Sequence, residues 1–171
     1  MLYAFSRSRF AWALLTLGTT LLLLIALFFQ YALGYQPCVM CVYQRAALVV
    51  VIAAGLLGWL APRSPVLASS AMLIWLAASA DGFLLAWEHV GYQLNPSPFN
   101  QCSSFAEFPA WLPLDSWLPA LFFPTGDCAD VDWSLLGWSM PQWLMGIFAV
   151  LAALAAFFML VRLLGWKRAR A

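Results

Sequence analysis

In this chain of 171 residues, 65% are hydrophobic and only 9% charged, whereas ordinary soluble domains are roughly 45–50% apolar. A soluble fold of this size has too little interior to hide that much apolar surface, so lipid must be the solvent for most of it. The net charge of +1 offers nothing to nucleic acid or another polyanion; the charges inform through where they fall.

Arg7 and Arg9 lead into a first apolar run, Phe10 to Tyr31. Further runs follow at Val42–Leu60, Val66–Trp87 and Trp143–Leu164. Each approaches the ~20 residues that a membrane helix needs, and a segment in lipid must satisfy its own backbone groups, which makes all four helical. The expected fold is therefore an all-α membrane protein: a four-helix transmembrane bundle forming one integral domain over 1–171. Its outer connections are placed at about 32–41 and 88–142. The basic start followed by an apolar run also has the outline of a signal peptide. The run is too long for that, and no small-residue cleavage site stands out near Gly34, so it is read as a retained helix. Trp12, Trp59, Trp87, Trp143 and Trp166 fall near helix ends and read as interfacial anchors.

Orientation follows from the cations. Arg7, Arg9, Arg63, Arg162, Lys167, Arg168 and Arg170 all fall on one side of the expected membrane. The long connection has no Lys or Arg but contains Glu107, Asp115, Asp127, Asp130 and Asp132. By the positive-inside rule both termini are cytoplasmic. Cys38, Cys41, Cys102 and Cys128 then all face the outside. Within the long connection seven prolines, Pro96 to Pro141, forbid long helices. The stretch Trp111–Phe123 is nevertheless too apolar for a solvated loop. Asp115 suggests an N-cap for a short helix ending at Phe123 and lying on the membrane surface.

The chemistry centres on Pro37-Cys38-Val39-Met40-Cys41-Val42-Tyr43-Gln44-Arg45, at the mouth of the second apolar run. Cysteines three apart on a helical turn lie roughly 5–6 Å from each other, which suits a disulfide, and a helix N-terminus favours the thiolate. Two static bridges, Cys38–Cys41 and Cys102–Cys128, are one reading. It suits the second pair, which closes a long loop. It suits the first poorly, because a bridge across one turn removes little unfolded-state entropy. A metal centre is not expected, since a structural zinc needs four converging ligands and His89 is the chain's only histidine. Arg45, one turn past Cys41, either snorkels to headgroups or stabilises an anion beside the thiols. Glu88 and His89, ending the third run on the same side, are candidates to line that site. Asp81 falls about 12 Å deeper by helix rise, where an acid is costly, and receives no role.

These stretches resemble the DsbB family, the quinone-linked thiol oxidases of the Gram-negative inner membrane. The likeness is carried by the 37–45 motif and by Glu88-His89. It runs on through Gln93-Leu94-Asn95-Pro96-Ser97-Pro98-Phe99, Cys102, Phe108-Pro109-Ala110-Trp111-Leu112-Pro113-Leu114-Asp115, Gly126-Asp127-Cys128 and Met140-Pro141-Gln142-Trp143-Leu144. The resemblance implies that Cys102 and Cys128 form an outer pair oxidising a periplasmic DsbA-like dithiol protein. Cys38 and Cys41 would be an inner pair passing the electrons to ubiquinone, or to menaquinone without oxygen. Cys41 would face the quinone ring, Arg45 would support quinone binding, and His89 would lie near the same site. Two rivals remain at this point: a paralogue serving a dedicated periplasmic client, and a structural membrane protein with static disulfides.

Overall fold

The computed structural model describes residues 2–97 and 99–170, except the side chains of 166–170. Trp166, Lys167, Arg168 and Arg170, read above as anchor and cations, thus have side chains outside the described set, as does the whole of Pro98. Four helices are long and apolar enough to cross a membrane: α2 (Arg9–Tyr31), α3 (Val39–Leu60), α4 (Pro65–Leu94) and α7 (Met140–Arg170). A short α1 (Leu2–Ser6) precedes them. Ser8 caps α2 by accepting from the Ala11 amide, and Ser64 caps α4 by accepting from Leu67, with Pro65 supplying a helix-ready φ at the first position.

The long helices pack in chain order, α2 on α3, α3 on α4 and α4 on α7, with α1 against α7. The α3 helix is the central one: 56% of its apolar window is buried, against 17% for α2. The outward face of α2 carries Phe10, Leu14, Leu17, Leu21, Leu24 and Phe28, all exposed. That spacing of three and four is a helical stripe turned toward lipid.

Trp12 departs from the interfacial reading. It is buried at 3% exposure in a core cluster with Val51, Ala54, Met72 and Trp75. The reason lies across the interface at Gly58, where a Cβ would collide with the Trp12 indole. Only a bare backbone lets that ring in. Trp59 and Trp87 are exposed, as anchors should be.

The third membrane helix runs on to Leu94, past the Trp87 boundary set by hydropathy, so Glu88 and His89 sit on helix rather than on loop. The surface segment is also built differently from the expectation. Two short helices replace one: α5 (Leu114–Trp117) and α6 (Pro119–Phe122). Asp115 lies inside α5, and Pro113 takes the cap position without a side-chain hydrogen bond. Leu118 breaks the helix at φ −133°, ψ 63°, because a following proline disfavours helical geometry in the residue before it. A small hairpin pairs β1 (Ser134–Leu135) with β2 (Trp138–Ser139). Its two-residue turn places Leu136 and Gly137 at positive φ, 54° and 81°, the combination that suits right-twisted strands.

Candidate thiol–disulfide site

The connection between α4 and α7 is strapped onto the ends of the helices. Thr125 and Gly126 donate their amides to the Pro37 carbonyl at 2.8 and 3.1 Å. Tyr31 donates its hydroxyl to the Ala120 carbonyl at 2.6 Å, and the Glu107 amide donates to the Tyr43 hydroxyl at 2.7 Å. Phe122 plugs the structure from above at 2% exposure, edge-on to Phe108, which in turn meets Tyr43. Gly126 is required here by close approach: a Cβ would fall 2.5 Å from the Gln36 carbonyl oxygen, and backbone cannot step aside. Gly126→Ala is therefore expected to cost about 1–3 kcal/mol, the usual range for overpacking. The readouts are a lower thermal midpoint and faster loss of Cys128 to alkylation under mild reductant. An unchanged midpoint would mean that the strap yields freely.

This strap brings the four cysteines into one neighbourhood. Cys102 and Cys128 are joined as a disulfide with Cα atoms 6.1 Å apart, whereas Cys38 and Cys41 are thiols. Cys128 is fully buried in a cluster with Cys38, Val39 and Met40, against which Cys41 and Cys102 pack from its edge. The two sulfurs of the outer pair differ in access. Cys102 is only half-buried and is followed by exposed Ser103, Ser104 and Phe105.

Cys38 is the N-cap of α3 and its sulfur accepts from the Cys41 amide at 3.3 Å. Its thiol meets the Cys41 sulfur at 3.0 Å. That hydrogen bond, and next its burial, hold the Cys38 thiol well above the ordinary thiol range. His89 Nε2 lies 3.5 Å from the Cys38 sulfur, and His89 Nδ1 lies 3.5 Å from Gln44 Nε2. The ligand atoms of Cys38, Cys41 and His89 all fall within 4.8 Å of one another, a closer gathering than the sequence suggested but one short of a closed structural zinc set.

Arg45 points inward, not to the headgroups. It is 6% exposed and donates to Gln30 Oε1 at 2.6 Å, to the Leu121 carbonyl at 3.1 Å and to the Ala26 carbonyl at 3.4 Å. A cavity beside it is lined by Cys38, Cys41, Gln44, Arg45 and His89 on its polar side. Leu22, Phe29, Leu48 and Leu144 supply apolar wall from α2, α3 and α7. The cavity offers both kinds of polar group: Arg45 is a permanent cation that can donate to a ligand oxygen, and Gln44 Oε1 is an acceptor buried with no partner. Such an orphaned acceptor is costly unless a ligand hydroxyl or water meets it.

Glu88 does not join the site. It is exposed and accepts from the Tyr92 hydroxyl one turn along α4. Asp81 is exposed too, on the outward face of α4 beside Tyr43, Ala46 and Val50, so it does not face the bundle interior. Gln44 and Gln30 are the residues that sequence reasoning passed over. Both could have been found by asking what would partner a buried arginine and a buried histidine in an apolar helix pair.

The family profile described as "Disulfide bond formation protein DsbB" matches residues 8–158. The chain belongs to the DsbB family. Among curated relatives, "Disulfide bond formation protein B" of Aeromonas salmonicida (strain A449) is 57% identical over 141 residues, covering 82% of each chain. The protein of the same name from Yersinia pestis (strain Pestoides F) is 48% identical over 163 residues, covering 95% of this chain and 92% of its own. The four membrane-length helices agree with a multi-pass member of that family.

Proposed function

We propose that this DsbB-family chain reoxidises a DsbA-like periplasmic dithiol protein and passes the electrons through its two cysteine pairs to a quinone. The observation that carries this reading is the burial of Cys128 in one cluster with Cys38, beside a cavity that holds Cys41 and Arg45. The partner's thiolate attacks the accessible Cys102 sulfur, and Cys128 leaves as a thiolate. The partner's second thiol then resolves the mixed disulfide and departs oxidised. Cys128 attacks Cys38 of an oxidised inner pair, which reforms the outer bridge by way of Cys102 and leaves Cys38 and Cys41 as thiols.

The quinone, ubiquinone or menaquinone, supplies a two-electron, two-proton acceptor. Cys41 would be the donor toward it, Arg45 would stabilise negative charge arising on its oxygen, and His89 and Gln44 would border the thiol pair. The inner disulfide closes again as the acceptor is reduced.

We place both termini in the cytoplasm and all four cysteines in the periplasm of a bacterial inner membrane. The support is the set of cations, all at one end of the bundle except Arg45. The test uses purified protein with a reduced periplasmic dithiol protein and a soluble quinone, followed by quinone absorbance. One quinone consumed per dithiol oxidised is expected; no quinone-dependent oxidation would sink the reading. Sidedness has its own check. A membrane-impermeant thiol reagent should label Cys102, the accessible member of the outer pair, in reduced, intact spheroplasts. Labelling that needs a breached membrane would overturn the orientation.

A further inference from the structure

At the end of the bundle opposite the cysteines, α1, the α3–α4 turn, α4 and α7 line a second, open-sided cavity of about 540 Å³. Its rim carries Arg7, Arg63 and Arg162, and its wall carries Leu73, Met159 and Leu163. The rim is built rather than frayed. Arg162 Nη2 donates to the Ser6 and Pro62 carbonyls, both at 2.7 Å, joining α1, the turn and α7. Arg7 Nη1 donates to the Tyr3 hydroxyl at 2.9 Å, with its guanidinium over the same ring.

Nothing in the described chain neutralises these three charges. The chain's acids begin at Asp81, midway along α4, and the rest lie at Glu88 or beyond, toward the cysteine end. The hydrogen bonds of Arg7 and Arg162 go to a phenol and to carbonyls, which balance no charge. Arg162 Nε is buried with no partner at all, and a buried unpaired donor on a cation is expensive.

From this we infer a binding site for one glycerophospholipid of net negative headgroup. The phosphate and its neighbouring oxygens would meet Arg7, Arg63 and Arg162, while an acyl chain lies along Leu73, Met159 and Leu163. A zwitterionic headgroup brings its own ammonium into a rim of three cations, so it should bind less well. Basic pockets between membrane helices suit anionic headgroups for this reason. The inference stands apart from the redox reading and does not depend on it.

Native mass spectrometry of the full chain, released from an equal mixture of phosphatidylglycerol and phosphatidylcholine, tests it. One phosphatidylglycerol should be retained per chain, with a preference of roughly 100-fold, about one fivefold step for each of the three rim arginines. Arg63→Gln should lower the preference by about fivefold, and Arg7→Gln with Arg63→Gln by roughly 25-fold, at about one fivefold step per arginine. Arg162 ties three elements together, so its replacement is left out and the exposed Arg63 carries the test. Arg9, set over the Trp59 ring outside this cavity, is the control: Arg9→Gln should leave the preference unchanged. Equal retention of both lipids in the wild type would overturn the site. So would an Arg9→Gln loss as large as that of Arg63→Gln, which is the mark of general surface attraction. Displacement of the lipid by millimolar glycerol phosphate would overturn the acyl contact and reduce the site to an anion cradle.

Discussion

A Cys128→Ala variant is expected to accumulate a covalent adduct through Cys102 when mixed with a reduced partner whose second, resolving thiol has been replaced, and to lose quinone reduction almost completely with the intact partner. The reason is the unequal burial of the outer pair. Cys102 is half-buried in a polar, turn-rich stretch, whereas Cys128 has no exposed surface and packs against Cys38. A large soluble dithiol can reach only the first. Without Cys128 there is no thiolate to move onto Cys38, so electrons stop at the partner. A nucleophile removed from a relay of this kind costs orders of magnitude, because the covalent route itself is gone. For this experiment the variant's free Cys102 is first primed by a small disulfide so that exchange with the partner can occur. Non-reducing gels of Cys128→Ala and Cys102→Ala, each with partner, read the outcome. An adduct that needs Cys128 and survives loss of Cys102 would reverse the order of transfer.

Arg45→Gln is expected to raise the apparent KM for quinone at least tenfold while the protein still folds. Loss of a charge-assisted hydrogen bond costs about 1.5–3 kcal/mol, which spans roughly tenfold to more than a hundredfold. The structure adds a second consequence. Arg45 also donates to Gln30 on α2 and to the Leu121 carbonyl in α6, so its removal leaves those acceptors unpaired and loosens the lid over the cavity. Gln30→Ala separates the two roles. It removes an orienting partner and keeps the cation, so quinone affinity should fall by a smaller factor than in Arg45→Gln. Equal quinone KM values in wild type and Arg45→Gln would leave Arg45 as a strut between helices and nothing more.

Much of this was legible in the chain itself. The four membrane helices follow from apolar runs of sufficient length, because hydrocarbon admits no unsatisfied backbone and leaves the helix as the only open choice. The thiol pair at 38 and 41 was visible as a motif because both residues lie within one helical turn, where sequence spacing sets distance. The pairing of Cys102 with Cys128 was open to the sequence as a bridge closing a long loop of 26 residues, while its role as a redox-active outer pair came only as an implication of family resemblance.

What tertiary structure alone decided are the contacts made between distant segments. Trp12 was assigned to the interface by its place near a helix end, yet Gly58 on the next helix leaves a socket that draws it into the core. Hydropathy ended the third helix at Trp87, but the helix needs only continued backbone hydrogen bonding to run on to Leu94. Glu88 and His89 are neighbours in sequence and turn apart by about 100° on a helix of 3.6 residues per turn. One therefore meets solvent while the other meets Cys38 and Gln44. Arg45 had two readings that composition could not separate, since both put a cation near a membrane surface. The choice fell to Gln30 and Leu121, which lie on α2 and in the outer connection, and no spacing rule links them to residue 45. Long-range packing chose the partners, and with them the chemistry each side chain can perform.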